Sequence, residues 1–284
     1  MSHFLFVSDL HGRKSRYEKL FAEIAARRPG AVLIAGDITP FGNGDDIPDV
    51  PFLSEYLYNN LIELRNKMGE DYPKILIIPG NDDPAEDFRN LKKSEAEGLL
   101  NNIHMKMTNI RGFDIYGYAM IPPSPFRLKD WERYDVSRYA DPESIHPTDG
   151  IRTIEADRNE ILYSTIADDL ERLARDIRPE RSIFLFHAPP YDTSLDRAAN
   201  DDKSIDHVPL DNHIGSIAIR RFIESRKPLI TLHGHVHEAA RITGQYSERL
   251  GDTLMLQGAH DGPELALIAF DPGNPEDNSR ELIL

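Results

Sequence analysis

The sequence predicts an α/β fold, a mostly parallel sheet with helices covering at least one face. Three observations carry that expectation. Short, near-continuous apolar runs recur at Phe4–Val7, Ala31–Ala35 and Lys74–Ile78, the pattern of strands buried on both faces rather than of half-exposed antiparallel ones. Amphipathic stretches of helical period separate them, at residues 15–28 with Tyr17, Leu20, Phe21 and Ile24 on one face, and at 52–68. Strand, helix, strand, helix, strand is the order that a parallel sheet requires, because parallel neighbours need a crossover.

Later elements follow from similar signals. Pro29-Gly30 ends the first helix. Residues 38–51 form an acidic loop rich in Pro and Gly. Residues 105–108 and 113–118 flank Asn109-Ile-Arg-Gly112 and read as a hairpin. A polar, prolyl and aromatic stretch at 122–152 reads as a folded lid, since so long a loop in a compact domain usually serves function. A helix at about 156–178 precedes a fourth apolar run, Ser182–Phe186. A second polar loop covers 191–214. Ser216 is placed to cap a helix that continues to Arg226. Residues 229–232 read as a fifth buried strand, 252–256 and 264–270 as closing strands, and 272–278 as a mobile connection to a short end at 282–284. No repeat or interdomain linker interrupts the chain, which reads as one domain over 1–284 with loop insertions at 122–152 and 191–214.

Composition narrows the function. The 284 residues carry 33 Lys plus Arg against 48 Asp plus Glu, a net charge of −15. No basic run exceeds two residues, so duplex nucleic acid is disfavoured as a partner. Cysteine is absent, which excludes thiolate metal sites, disulfides and cysteine nucleophiles. The start of the sequence does not read as a signal peptide, and no stretch has the roughly 18 to 20 apolar residues of a membrane span. The expectation is a cytoplasmic protein without a membrane partner; oligomeric state is not legible.

The strand ends hold the chemistry. The fifth run leads into His233-Gly-His-Val-His237, whose alternate imidazoles leave an extended backbone on one side. The other runs finish at Asp9 and His11, at Asp37, at Asn81 and Asp82, and at His187. The carboxyl ends of parallel strands open on one crevice. More oxygen and nitrogen donors meet there than one tetrahedral ion takes, and about enough for two ions sharing a carboxylate.

In order, Asp9-Leu-His11, Gly36-Asp37, Gly80-Asn-Asp-Asp83, His187 and Gly234-His-Val-His237 resemble the motif series of the calcineurin-like metallophosphoesterases. The resemblance spans residues 9 to 237. It implies a four-layer αββα sandwich with the active site at the C-terminal ends of the strands. It makes Asp9, His11 and His237 ligands of one metal, Asn81, His187 and His235 ligands of a second, and Asp37 the bridge. Oxygen and imidazole donors suit manganese first, then iron, zinc or cobalt, with nickel a poorer match. The implied activity is metal-dependent phosphoester hydrolysis, diesters before monoesters, by a metal-activated hydroxide attacking phosphorus in line. The partner would be a small phosphoester, nucleotide-like among the options. A metal-binding scaffold with an idle site is the alternative.

Two positions depart from the family pattern. Asp82 stands where the family has the His that protonates the leaving oxygen, and an acid beside two dications should be ionised and a weak donor. The expected consequence is a preference for aryl or nucleotidyl leaving groups, or recruitment of another acid. Pro40 replaces a further Asp, a loss expected to be tolerated. Among the other histidines, His213 is the second catalytic candidate beside Asp82. His207 reads as substrate-facing or solvated, His233 as a core residue, His260 as a rim residue, and His3, His104 and His146 as scaffold or surface. Arg127, Lys129 and Arg133 read equally as phosphate contacts or as a solvated charged loop.

Overall fold

A computed structural model describes residues 3–42, 44–199, 204–205, 208–209 and 212–284; His207 lies outside them. Two six-stranded sheets face each other. The first contains β1 (Phe4–Val7), β2 (Ala31–Ala35), β3 (Lys74–Ile78) and β4 (Asn101–Asn102). β5 (Lys106–Ile110), β6 (Phe113–Tyr118) and β7 (Ser182–Phe186) belong to the second, and β8 (Ser204–Ile205) with β9 (Val208–Pro209) forms a separate small hairpin. β10 (Ile230–His233), β11 (Ser247–Leu250) and β12 (Thr253–Gln257) complete the second sheet, while β13 (Leu265–Asp271) and β14 (Asn274–Ile283) return to the first. The orders are β14-β13-β1-β2-β3-β4 and β11-β12-β10-β7-β6-β5.

Alternation along the strands builds four layers. Leu5, Val7, Val32, Ile34, Ile75 and Ile77 point outward from the first sheet and pack under α1 (Lys14–Arg27) and α2 (Tyr58–Met68). Phe4, Phe6, Leu33, Leu76 and Ile78 point inward and meet Ile183, Leu185, Ile230, Leu232 and Leu256 of the second sheet. Tyr118, Phe184, Phe186 and Met255 face out again, against helix residues Ile166, Leu170, Ile219, Phe222 and Ile223. Each such side chain, fully removed from water, contributes about 1.5–3 kcal/mol. The αββα sandwich expected from the motif series is therefore the observed fold.

Parallel pairing runs through β1-β2-β3-β4 and through β6-β7-β10-β12, as expected at the centre. The β13-β14 edge of the first sheet and both edges of the second are antiparallel, so each sheet is mixed. β14 occupies the stretch read as a mobile connection. It is a charged edge strand in which acidic and polar residues mask the period-two pattern, a common defence of exposed edges. The helix expected at 156–178 is two shorter ones after α3 (Lys92–Ala96): α4 (Arg158–Tyr163) and α5 (Ile166–Leu173), separated by extended Ser164. Asp157 accepts from the backbone N–H groups of Asn159 and Glu160, and Thr165 accepts from that of Asp168, so two caps start two helices. Ser216 caps α6 (Ile217–Arg226) by accepting from Ile219 N–H, as expected, and a short α7 (Ala239–Thr243) follows β10.

The 122–152 stretch is folded onto the scaffold. Bridges join Ile121 to Glu132, Leu128 to Ile151 and Tyr134 to Thr165. Lys129 is fully buried, donating to Glu132 and to the Ser124 carbonyl, and Arg133 pairs with Asp169 and Glu160. Neither cation matches either reading offered for it, because internal partners use both; Arg127 is exposed.

Candidate metal centre

Every strand-end group comes from a turn that the two sheets hold in place. The ladder between β1 and β2 continues past their ends: Asp9 N–H donates to Gly36 O at 3.1 Å, His11 N–H to Asp37 O at 2.8 Å, and Gly12 N–H to Ile38 O at 2.9 Å. In the second sheet, past the ends of β10 and β7, Gly234 N–H donates to His187 O at 2.9 Å. Asp9, His11, Asp37 and His235 all have left-handed backbone, with φ of +55°, +49°, +50° and +73°. Non-glycine residues pay for that conformation, and it concentrates where a site requires it. Gly80 is obligatory for a different reason, since a Cβ there would strike the Asp37 carboxylate and backbone and come within 2.7 Å of His187 Cε1.

These turns bring two groups of side chains together. In one, ligand atoms of Asp9, His11, Asp37 and His237 all lie within 4.8 Å of one another. His11 Nε2 and His237 Nε2 approach to 3.2 Å, His237 Nε2 lies 3.1 Å from Asp9 Oδ1, and His11 Nε2 lies 3.8 Å from Asp37 Oδ2. In the other, His187 Nε2 is 2.9 Å from Asn81 Oδ1 and 3.5 Å from Asp37 Oδ2. The His235 ring sits 5.2 Å from that of His187, and its backbone N–H points at the Asp9 carboxylate. Asp37 thus faces His11 on one side and His187 on the other. All seven residues expected as ligands meet in one place.

Burial and close approach shift the protonation of these groups. Burial opposes ionisation of Asp9 and Asp37, yet the neighbouring imidazoles, His237 for the first and His187 for the second, hold both carboxyls below the usual range. Burial also opposes protonation of His187, but Asp37 and Asp9 push it up to about 10. Burial drives His235 down to about 3, leaving the neutral imidazole that a metal binds. The His187 Nδ1–H donates to Ala35 O at 2.7 Å, which turns Nε2 to the site. His11 Nδ1 is buried without a hydrogen-bond partner. Two carboxylates, four imidazoles and an amide oxygen converging this closely fit a pair of divalent ions.

Three supports escaped the sequence reading. Fully buried Asp83 accepts from Ile38 N–H at 2.9 Å, Thr39 N–H and Oγ1–H at 2.7 Å and Gly80 N–H at 2.8 Å, stapling the Asp37 turn to the Asn81 turn. Trp131 Nε1–H donates to the Asp83 carbonyl at 2.7 Å, so the aromatic stretch braces the same turn. Buried Arg16 donates to Asp9 O at 2.5 Å and to Gly262 O at 2.6 Å. Only the helical spacing of Arg16 with Tyr17 and Leu20 hinted that a cation lies on the buried face of α1.

The remaining candidates divide. Asp82 borders the centre, its Oδ1 accepting from Asn81 Nδ2–H at 2.9 Å and its Oδ2 3.8 Å from His11 Nδ1. Burial and the Asp37 carboxylate push it up to about 7, a direction that bound dications would oppose. His213 pairs instead with buried Asp196, Nδ1 to Oδ1 at 2.8 Å, in a cleft shared with Asp192, Thr193, Ser194 and Arg197. His233 is a core residue as expected, its two nitrogens bonded to Ala188 O and Thr231 Oγ1. His260 meets Glu264, His104 Nδ1 accepts from Ala119 N–H, and His146 meets Tyr134.

The profile of the calcineurin-like phosphoesterases matches residues 2–239, most of the chain. The chain belongs to that family. As a metallophosphoesterase it is a hydrolase of a family that uses two divalent metal ions. Its fold aligns with the protein TT1561 of Thermus thermophilus at TM-score 0.57 and 17% identity, covering 100% of this chain and 99% of that one. It also aligns with a dimetal phosphatase from Danio rerio at TM-score 0.51 and 10% identity, covering 94% and 91%. Among curated proteins none matches. No helix among the described residues is long and apolar enough to cross a membrane.

Proposed function

We propose that this metallophosphoesterase hydrolyses small phosphodiesters in preference to monoesters, at a dinuclear centre. Asp9, His11 and His237 would hold one ion, Asn81, His187 and His235 the other, and Asp37 would bridge them. The observation that carries this reading is the position of Asp37, between the cluster that includes His11 and the pair His187 and Asn81. Two dications a few ångströms apart need a shared anion to offset their repulsion. When bound, the ions supply Lewis acidity toward water and the phosphoryl oxygens. Manganese is the expected occupant from the donor set.

The protein's own residues do the rest. Asp83 and Trp131 keep the Asn81 turn fixed against the Asp37 turn, and Arg16 fixes the Asp9 turn. Such rigidity matters because an ångström of misplacement can cost about a hundredfold in rate. Asp82 stands where a leaving oxygen would be protonated; ionised, it leaves that oxygen unaided, which favours esters of acidic alcohols. His213, held by Asp196, is the proposed alternative acid. The chain would act as one domain, in the cytoplasm. The test is hydrolysis of bis(p-nitrophenyl) phosphate and p-nitrophenyl phosphate by manganese-loaded protein. Faster turnover of the diester is expected; metal bound without turnover of either would favour a scaffold.

A further inference from the structure

Phe41 is 68% exposed, and its ring lies edge-on to that of His11, centroids 6.5 Å apart. Single exposed apolar residues are ordinary, but this one has two unusual properties. Among the described residues it is the only exposed aromatic whose ring meets that of a candidate ligand. The chain on either side of it is also anchored. Pro40 lies so close to Gly12 that a Cβ at Gly12 would come within 2.5 Å of the Pro40 Cδ and N. Further along the same loop, Asp46 accepts from Ser15 N–H at 2.9 Å and Ser15 Oγ–H at 2.6 Å, tying the loop to the start of α1. The sandwich therefore presents a flat apolar face at the edge of the metal centre, on the side of His11, with no core to bury it.

We propose that Phe41 is a specificity-determining residue, a stacking platform for an aromatic group carried by the phosphoester, so that the substrates are nucleotide-like or aryl esters. This rests on the dinuclear phosphodiesterase reading. Stacking of a base on an aromatic side chain tolerates any base, because every base has a π-face.

Calorimetric titration of manganese-loaded protein with AMP and with ribose 5-phosphate tests the platform by affinity rather than by rate. Wild type should bind AMP more tightly. Phe41→Ala should weaken AMP binding about tenfold while shifting ribose 5-phosphate less than twofold, and Phe41→Trp should restore the preference. The same variant should raise KM for bis(p-nitrophenyl) phosphate with little change in kcat. Because the ring is exposed, the substitution leaves the core intact, and an unchanged melting temperature checks that. Equal affinities for the two probes in wild type, or an AMP preference that survives Phe41→Ala, overturns the platform while the hydrolase reading stands. No binding of either probe together with no hydrolysis of any ester overturns both.

Discussion

Gly80→Ala should cripple the centre while sparing the fold. The added Cβ would lie 2.7 Å from His187 Cε1 and closer still to the Asp37 carboxylate and backbone N, where ordinary contact is 3.4–4 Å. Something must move by about 1 Å, and the neighbours are the proposed bridging carboxylate, its backbone and a proposed ligand ring rather than a flexible side chain. Overpacking of this kind costs about 1–3 kcal/mol of stability. The displacement of Asp37 from His187 matters more, and should lower kcat/KM about a hundredfold and metal affinity about 10- to 100-fold. The assay is bis(p-nitrophenyl) phosphate hydrolysis over a manganese titration, with Gly44→Ala as control because a Cβ there meets nothing within 4 Å. If Gly80→Ala keeps kcat/KM within twofold of wild type at every manganese concentration, the packing argument for this centre fails.

Asp82→His restores an acid at the leaving oxygen, and general acid catalysis is worth about 10²–10⁴. Alkyl esters should gain at least tenfold relative to aryl esters, and an unchanged leaving-group slope contradicts the role given to Asp82. Arg16→Met leaves the Asp9 and Gly262 carbonyls without their shared donor, which should cost about 1–3 kcal/mol in urea unfolding; no loss would refute that support. His104 is pushed down to about 3, by burial first and then by Arg133 and Lys106. A depressed folded value means stability is present above pH 6.5 and lost as pH falls below it, about 2 kcal/mol by pH 5. His104→Gln should remove that part of the acid sensitivity, measured as the difference in unfolding free energy between pH 7.5 and pH 5.

How much of this was legible in the sequence depends on how local the signal was. Apolar runs without alternation pointed to β1, β2, β3, β7 and β10 and to polar residues gathered at their ends, because strand ends in such a sheet have little freedom to diverge; the resemblance to the family's motif series then singled out the seven donors among them. β14 was hidden because a charged edge strand reads as loop. The break at Ser164 was hidden because Asp157 and Thr165 look like ordinary exposed helix residues unless tested as caps. Lys129 and Arg133 were misread for a deeper reason: their partners Glu132, Asp169 and Glu160 satisfy them only after folding. Asp83 ends a motif that gives it no role, since the Ile38 and Thr39 N–H groups it gathers lie some 45 residues away.

Metal content of the manganese-loaded protein, counted by mass spectrometry on wild type and on Asp37→Asn, bears most directly on the dinuclear centre. Two ions per chain in wild type and at most one in the variant, both proteins folded, is the predicted result. One ion or none in wild type, or two retained without the Asp37 carboxylate, would contradict it.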